Sequence, residues 1–491
     1  MSGAAIPPVN SNSMFQQIEE LIERFRPCFS RRAAFGWFAT VVIGFMLRGD
    51  RLGVTSVIRD LSLSPRCYES LIHFFHSSAW DPATVRKTWW GMFAEKAPVY
   101  RVKKRCILIG DGVKQSKEAF HMAGVKKLIQ ESENSSKPAF IFGHMFGAVG
   151  ILVGRKGGKF CAPLQMNIQD GLRAASSWDG AGISPDSHVV QMVQNACAVA
   201  EVVGSAYLLL DRYFLSVPAL QALKAHNDSG SPRVDVVTKA KSNCKAYRKP
   251  RADRSRKRGR PRVRGTAVRV SSLFTEKAER FTETSVYMYG ERQTVSYYSM
   301  DLLWGQKLYQ ELRFVLVQYE DRQSILVSTD LSLSPKRIIE LYAYRFKIEE
   351  LFREFKQQIG GFAYHFWTSA VPKLNHFAKK NDADPLESVL DDHERKLVLS
   401  NIKAIEGFVL FASIAMGCLQ LIALDRRSGR QAKNIRYLRT KSPKCPSEGT
   451  VMYYARKNIY SLLLQNPDSF ITQFIRERQV EYGGSSRKWA A

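Results

Sequence analysis

The sequence lacks the cysteine patterns of zinc-binding and disulfide-linked proteins. Its eight cysteines are scattered among 491 residues, without a Cys-x2-Cys pair or a Cys/His cluster at the spacing of a zinc site. We therefore expect reduced, mostly buried thiols, which are typical of a cytosolic protein. The pattern argues against a fold that depends on structural zinc or on disulfides.

Signals for export and for membrane insertion are weak. The chain opens on polar and then charged residues, so we expect no secretory signal peptide. Two apolar runs need an explanation: residues 34–47 are too short to span a bilayer, and residues 407–424 are borderline in length. The second run contains Gly417 and Gln420, so we interpret it as a buried helix and expect no membrane partner.

Acidic residues are too few to balance the basic ones. The chain has 45 Asp and Glu against 73 Lys and Arg, which leaves a formal net charge of +28. Such an excess attracts polyanions, so nucleic acid is the expected partner and acidic lipid is the competing one. The 45% of apolar residues can bury several cores, so the length predicts two to four folded domains.

The strongest local pattern is a predicted helix at residues 334–361, which we call the signature helix. Ser334 and Pro335 suit its first turn, and Gly360 with Gly361 suits its end. At about 100° per residue, an apolar stripe faces one way and charged residues face the other. Four polar side chains share the edge between them: Tyr342, Arg345, Glu349 and Lys356.

An ordinary amphipathic helix with a stabilising Arg345/Glu349 pair would show part of this pattern. The complete spacing, Y-x2-R-x3-E-x6-K, resembles the signature of one large group of DDE transposases from bacterial insertion sequences. This resemblance implies an α/β fold with a ribonuclease-H-like catalytic core, interrupted by a β-rich insertion. It also implies two aspartates upstream of Glu349.

Two short apolar runs upstream each end in an aspartate. They are RCILIGD, which ends at Asp111, and AYLLLD, which ends at Asp211, as expected of buried strands that deliver a carboxylate. Either aspartate alone would be ordinary, since Asp favours strand ends and turns. Many relatives have a hydroxyl residue after the first aspartate, whereas Gly112 and Val113 follow here. Two weaker candidates, which no comparable strand precedes, are Asp170 and Asp235.

Asp111, Asp211 and Glu349 form the predicted catalytic and metal-binding set. Ionised carboxylates are hard oxygen ligands that suit Mg²⁺ or Mn²⁺, and two such ions can clamp a scissile phosphate. The resemblance implies strand cleavage at transposon ends, followed by attack of the 3′-OH on target DNA. It also implies DNA contacts by the other residues of the signature: Tyr342, Arg345 and Lys356.

A basic run at residues 239–265 carries thirteen Lys or Arg and one acid, Asp253. Such a run predicts a mobile arm that binds phosphate. Three of its arginines resemble an AT-hook core and predict minor-groove insertion or phosphate contact: Arg258, Arg260 and Arg262. For Trp304, the resemblance implies a wedge that holds a flipped base, and core packing is the alternative.

The pattern of predicted elements divides the chain into five regions. A helix–turn–helix pattern in the first region, with Ser64 as the cap of its second helix, fits either DNA reading or plain helical packing. A hairpin turn is predicted at residues 318–323 within the β-rich region. The regions are a helical DNA-binding domain (1–98), the first part of the core (99–225), a β-rich insertion with the basic arm (226–330), the second part of the core (331–375) and a helical C-terminal region (376–491).

These features predict a transposase that acts on double-stranded DNA and forms a homodimer when assembled on it. We expect a cytoplasmic, nucleoid-associated protein. One alternative is a catalytically inactive DNA-binding protein or regulator that uses the same basic arm, and another is a basic protein at a membrane surface. Metal-dependent nicking of DNA separates the first interpretation from the second, and recovery without detergent excludes the third.

Overall fold

The computed structural model describes residues 12–50, 52–130, 138–155, 158–250, 262–375, 383–425, 428–432 and 445–480. The prediction of minor-groove binding by Arg258 and Arg260 falls on residues 251–261, which lie outside the described residues.

Thirteen strands of the described residues belong to one mixed sheet. They are β1 (Arg101–Val102), β2 (Arg105–Ser116), β3 (Lys126–Ile129), β4 (Phe140–Arg155), β5 (Gly158–Ile168), β6 (Ala206–Leu209), β7 (Val234–Lys239), β8 (Lys245–Tyr247), β9 (Ala267–Arg269), β10 (Thr282–Met288), β11 (Glu291–Trp304), β12 (Gln310–Tyr319) and β13 (Arg322–Ser328). Their order along the sheet is β3-β4-β2-β6-β7-β13-β12-β11-β8-β9, with β5 beside β4, β1 beside β2 and β10 beside β11.

Three parallel strands, β2, β6 and β7, form the centre of the sheet. Ile109 pairs with Leu209, and Leu209 pairs with Val237. All of β6 is buried, as expected for a parallel strand covered on both faces. Antiparallel strands β4 and β13 flank this centre. The prediction of a mixed α/β fold is therefore confirmed.

The predicted β-rich insertion is continuous with this sheet. Residues 226–330 form the strands β7 through β13, and β13 pairs with β7 at Val327 and Thr238. The hairpin turn is confirmed, because Gln318 pairs with Gln323 at the end of β12 and β13. β7 lies in the parallel centre, so the first of these strands belongs to the same layer as the two aspartate strands. The domain boundaries themselves stay predictions.

The first third of the basic run is ordered, contrary to the prediction of an unpacked arm. Lys239 ends β7, and β8 pairs with both β9 and β11. Cys244 and Ala246 are buried here. Apolar residues interleaved with the lysines allow this part to pack, so the prediction is wrong for residues 239–247.

Helices surround the sheet and supply the remaining core. The described α-helices are α1 (Asn12–Glu23), α2 (Arg32–Leu47), α3 (Val54–Asp60), α4 (Cys67–His76), α5 (Pro82–Lys96), α6 (His188–Val203), α7 (Val217–Asp228), α8 (Leu273–Glu276), α9 (Pro335–Ala343), α10 (Lys347–Glu354), α11 (Asp392–Leu424), α12 (Ser428–Ala432), α13 (Glu448–Gln465) and α14 (Phe470–Arg476).

The signature helix begins and ends as predicted but is not continuous. Ser334 accepts a hydrogen bond from the backbone N–H of Arg337, and Gly360 ends the run in the left-handed conformation at φ +59°. Between them, a 3-10 turn at Tyr344–Phe346 separates α9 from α10, and a π-helical turn at Phe355–Ile359 follows α10. The prediction of one uninterrupted α-helix over residues 334–361 is wrong, because the 3-10 turn and the π-helical turn have different numbers of residues per turn.

Arg48, the residue after α2, contacts the end of the signature helix. Its buried guanidinium donates to the backbone carbonyls of Ile359, at 2.6 Å from Nε, and of Gly360, at 2.5 Å from Nη2. Burial lowers the pKa of Arg48 to about 10, so it is charged at neutral pH. A cation is favourable at these carbonyls, because the C-terminal end of a helix carries partial negative charge.

The long apolar run of the C-terminal region forms part of α11. This helix is long and apolar enough to cross a membrane by length and composition, and 94% of its apolar window is buried within the protein. It packs against α2 and β5. The prediction of a buried helix for residues 407–424 is therefore confirmed.

The predicted helix–turn–helix corresponds to α3 and α4, with one correction. Ser64 does not cap α4, which begins at Cys67 and has no side-chain cap. Instead, the backbone N–H of Ser64 donates to the carbonyl of Arg478 at 2.7 Å. The backbone carbonyl of Ser64 accepts a hydrogen bond from the N–H of Cys67 at 2.9 Å, so Ser64 contacts the start of α4 through its backbone and not its side chain. DNA reading by this pair stays a prediction.

Candidate active site

Asp111 and Asp211 lie side by side on neighbouring parallel strands. Ile109 and Leu209 are paired, and each aspartate follows its partner by two residues, so the two stand at the same level. Side chains at one level of adjacent parallel strands share a face and lie about 5 Å apart. Asp211 keeps an extended backbone, and its carbonyl accepts a hydrogen bond from Thr238 Oγ1 at 2.9 Å. The two strands thus deliver both carboxylates to one place.

The glycine after Asp111 supports this carboxylate directly. The backbone N–H of Gly112 donates to Asp111 Oδ1 at 2.8 Å. A Cβ atom at this position would lie 2.3 Å from the terminal methyl group of Met145, on β4. A larger residue, such as the hydroxyl residue of many relatives, would require the Met145 side chain to move.

Arg345 connects the third predicted carboxylate to the first. Its Nη1 donates to Asp111 Oδ2 at 3.0 Å, and its Nη2 donates to Glu349 Oε1. The side chains of Asp111 and Arg345 are 23% and 17% exposed, whereas that of Glu349 is 48% exposed. Glu349 therefore lies at the open side of the site. Acidic residues far apart in the sequence meet around one guanidinium group.

Tyr342 belongs to the same cluster. Burial raises the pKa of its hydroxyl group, the negative charges of Asp211 and Asp111 raise it further, and Arg345 lowers it. These influences require the hydroxyl to lie near all three groups. Tyr342 is therefore protonated at neutral pH and can act as a hydrogen-bond donor inside the site.

Lys356 lies further along β2 than the other signature residues. Its Nζ donates to the carbonyl of Lys114 at 3.3 Å, three residues past Asp111. It also lines an open pocket of about 370 Å³, which we call the lysine pocket. The lining residues are Gln115, Lys117, Lys356, Gly360, Phe362 and Ala363.

More than half of the chain matches one known family. The model of the family described as DDE superfamily endonuclease matches residues 24–298. The chain belongs to the DDE superfamily endonucleases. The matched region includes Asp111 and Asp211 and ends before Glu349, so it does not test the signature helix. Among curated proteins no match was found.

The carboxylates of this DDE endonuclease suit a divalent metal ion. Such domains typically use divalent metals, and their substrate is DNA. In the part of the chain that the structure describes, no group of three or more His, Cys, Asp or Glu residues is arranged to hold a metal ion. Instead, a cationic guanidinium lies between Asp111 and Glu349. Hard oxygen donors already grouped around a positive charge fit Mg²⁺ or Mn²⁺, provided that the Arg345 side chain turns away.

The charge of Asp111 is costly without such a cation. Burial raises the pKa of Asp111 to about 6 and nearby Asp211 raises it too, whereas Arg345 and the N–H of Gly112 lower it. Close carboxylates in a poorly hydrated site resist simultaneous ionisation. A cation bound beside Asp111 would therefore stabilise its ionised form in this DDE endonuclease.

We expect Asp111→Asn to stabilise the metal-free protein above about pH 6. The carboxyl group has a pKa of about 6 in the folded protein and 3.8 as its reference value. Between these values the folded state binds more protons, so the wild type loses stability as the pH rises through this window. Asparagine carries no charge and avoids that loss. After allowing for the weakened Arg345 contact, we expect the free energy of unfolding to rise by about 1 to 2 kcal/mol. Thermal denaturation in EDTA at about pH 4 and pH 8 measures it.

The matched control is Asp179→Asn, because Asp179 is an exposed aspartate in a loop. Its unfolding temperature should stay near that of the wild type at both pH values. A lower unfolding temperature for Asp111→Asn at the higher pH would mean that the Arg345 ion pair outweighs the cost of burying the charge.

Sequence reasoning missed one basic residue of the site, Lys239. Leu209 pairs with Val237, so Lys239 stands at the level of Asp211. Burial lowers the pKa of Lys239, Arg212 and Arg345 lower it further, and Asp211 raises it. Only the register of β7 against β6 places Lys239 in the site. In the sequence, Lys239 is the first residue of the basic run and looks like part of the arm.

The two weaker aspartate candidates, Asp235 and Asp170, form ion pairs outside the Asp111 cluster. Asp235 is buried and pairs with Arg105 at 2.9 Å and with Arg233 at 2.7 Å. It precedes Lys239 by four residues on β7, so it lies toward the opposite end of the parallel strands. Asp170 pairs with Lys126 at 2.9 Å. Both have structural partners away from the Asp111 cluster.

Trp304 and Arg262 lie outside this cluster of acids. Trp304 ends β11, is half-buried and hydrogen-bonds the thiol of Cys244, whose pKa burial raises to about 11. Arg262 is exposed at the edge of the described residues. Contact of either residue with DNA stays a prediction.

Proposed function

We propose that the chain is the transposase of a bacterial insertion sequence. It binds the terminal inverted repeats, cleaves the DNA strands there and transfers the 3′-OH ends to target DNA, in the cytoplasm and as a dimer assembled on DNA. One observation carries the proposal: Arg345, from the Y-x2-R-x3-E-x6-K helix, bonds to both Asp111 and Glu349 beside Asp211. Metal-dependent cleavage requires such a group of acids, whereas DNA binding alone does not.

Each residue has a role that its surroundings support. Asp111, Asp211 and Glu349 would hold two Mg²⁺ or Mn²⁺ ions, whose chemistry would be Lewis acidity toward the phosphate and the attacking oxygen. Arg345, once released from the carboxylates, offers a bidentate fork to a phosphate oxygen pair. Tyr342 donates a hydrogen bond from its hydroxyl group to a phosphate oxygen, from the buried side of the site.

The arrangement of the sheet supports a ribonuclease-H-like core with a β-rich insertion. Parallel strands β2 and β6 carry the first two carboxylates, and β4 continues the sheet in the antiparallel sense. The remaining strands, from β8 to β13, lie between Asp211 and Glu349 in the sequence. Their position in the sequence agrees with that of the insertion that the signature implies.

The charge of the chain supports DNA as the substrate. A net charge of +28 attracts the DNA backbone, and each phosphate that is neutralised releases counterions. The arginines at 258, 260 and 262 are proposed to contact the minor groove or its phosphates. DNA affinity should therefore fall steeply as salt is added.

The test uses DNA that carries the inverted repeats flanking the coding region. We expect the purified protein to cut at the repeat ends in Mg²⁺ or Mn²⁺, leaving 3′-OH termini that join to a second DNA molecule. EDTA should abolish both steps and leave DNA binding intact. Tight binding without any cleavage in either metal would overturn the proposal and leave a DNA-binding regulator as the function.

A further inference from the structure

A tryptophan is exposed on the segment that follows the signature helix. Trp367 is 69% exposed, although tryptophan is normally well buried. Along this segment, Phe362, Tyr364 and Phe366 are buried. His365 and Trp367, between and after them, are exposed. This alternation is that of an extended segment with one face in the core and the other in solvent.

The backbone that carries Trp367 is held firmly on both sides. The ring of Phe366 packs against that of Phe75, with centroids 5.1 Å apart. The N–H of Thr368 donates to the carbonyl of His121 at 3.0 Å. Trp367 is therefore presented by a fixed backbone, which lowers the entropic cost of binding a ligand.

A second exposed aromatic residue lies on the adjoining loop. Phe120 is 50% exposed, and its carbonyl accepts a hydrogen bond from the N–H of Leu374 at 2.8 Å. Lys373 Nζ lies 5.5 Å from the centre of its ring. The surface around Trp367 thus combines aromatic faces with positive charge.

The lysine pocket lies between this surface and the carboxylates. Gln115 lines the pocket four residues past Asp111 on β2, and Ala363 lines it four residues before Trp367. Each four-residue step of extended chain covers about 13 Å. A path therefore runs from Asp111 through the lysine pocket to Trp367.

Lys117 links the chain that follows β2 to the segment that carries Trp367. Its buried Nζ donates to the carbonyls of Phe362 and Tyr364, at 2.7 and 2.8 Å. The Nζ also lies 3.7 Å from the centre of the Tyr364 ring, and an ammonium group has a third donor, from which a phosphate oxygen in the pocket can accept a hydrogen bond. Lys117 and Lys356 are the basic residues of the pocket lining, and no acid accompanies them there in the described chain. Burial lowers the pKa of Lys117 to about 7, and an anion bound beside it would favour the charged form. The pocket is therefore suited to an anion.

We propose that the lysine pocket and Trp367 bind an unpaired DNA strand leading away from the cleaved phosphate. Phosphates lie at Lys117 and Lys356, and bases stack on Trp367. Aromatic side chains stack readily on the bases of single strands, whereas a duplex keeps its base faces covered. This inference rests on the proposed function, because it assigns the strand a direction from the cleavage site. The lysines of the pocket favour nucleic acid over a protein partner.

The test measures DNA affinity in EDTA, where cleavage cannot contribute. The probes are a blunt duplex and the same duplex with a single-stranded extension. Trp367→Ala should weaken binding of the extended duplex by about 5- to 150-fold, the range for loss of one stacked base. Binding of the blunt duplex should change by less than about twofold. Trp367→Tyr, which keeps an aromatic face, should retain most of the affinity.

The matched control is Leu390→Ala, since Leu390 is 75% exposed in a different part of the chain. It should leave both affinities unchanged. Equal weakening on the two probes, or no weakening on either, would overturn the assignment, and so would a loss of self-association in Trp367→Ala with unchanged DNA binding. A wild type that prefers the extended duplex but never cleaves in Mg²⁺ would refute the proposed transposase and leave this site standing.

Discussion

Asp211→Asn is expected to lower the rate of DNA strand cleavage by at least about 1,000-fold. A metal ion contributes several kcal/mol to the stabilisation of a phosphoryl transition state, and each 1.36 kcal/mol corresponds to about a tenfold change in rate. Asparagine keeps the shape of the side chain but removes the charge that holds the ion. The measurement is a single-turnover cleavage assay with saturating enzyme, in Mg²⁺.

DNA affinity should survive the same substitution. The positive surface of the chain dominates affinity, and removing a carboxylate does not weaken it. Asp111→Asn and Glu349→Gln should behave alike. The matched control is Asp170→Asn, because Asp170 pairs with Lys126 away from the cluster and its loss should leave the rate within about threefold of the wild type. Cleavage by Asp211→Asn at the parental rate would refute the assignment of the three acids.

Cleavage is expected to slow about tenfold per pH unit below about pH 6 when metal is subsaturating. Burial raises the pKa of Asp111 to about 6, so at lower pH the carboxyl group is protonated and cannot bind a cation. Protons and metal ions thus compete for one group. More Mg²⁺ should shift the midpoint of the rate profile to lower pH, and a series of profiles at several metal concentrations measures the shift.

DNA binding in EDTA provides the control for this pH dependence, because it does not require an ionised Asp111. It should stay level or strengthen as the pH falls, since the chain becomes more positive. A midpoint that ignores the metal concentration would assign the titration to another group. Histidines elsewhere in the chain would then be the first to replace.

Asp111 and Asp211 could be predicted because the signals of a buried strand are local, although β2 continues past Asp111 to Ser116. Each lies at the end of an apolar run long enough to be recognised as a buried strand. Lys239 could not be found in this way. Its place beside Asp211 depends on the register of β7 against β6, which no short stretch of sequence specifies. The same holds for the bond between Arg345 and Asp111, which are 234 residues apart.

The interruption of the signature helix is a second case in which tertiary contacts outweigh local preference. The ends of the helix follow from Ser334 and Gly360, which act through neighbouring backbone groups. The 3-10 turn lies between α9 and α10, and the π-helical turn follows α10. Tyr344, within the first turn, packs on Tyr100 with ring centroids 5.4 Å apart. The helical periodicity of the sequence does not reveal such a contact between distant residues.

The bond from Arg48 to the last carbonyls of the signature helix limits how related proteins can be recombined. The guanidinium reaches from the N-terminal region to Ile359 and Gly360, across the boundary near residue 98 at which a chimaera would be joined. A hybrid that brings a different residue to position 48 would leave these carbonyls buried without a donor. An exchange of the N-terminal helices among homologues must therefore include the residues around 359–360.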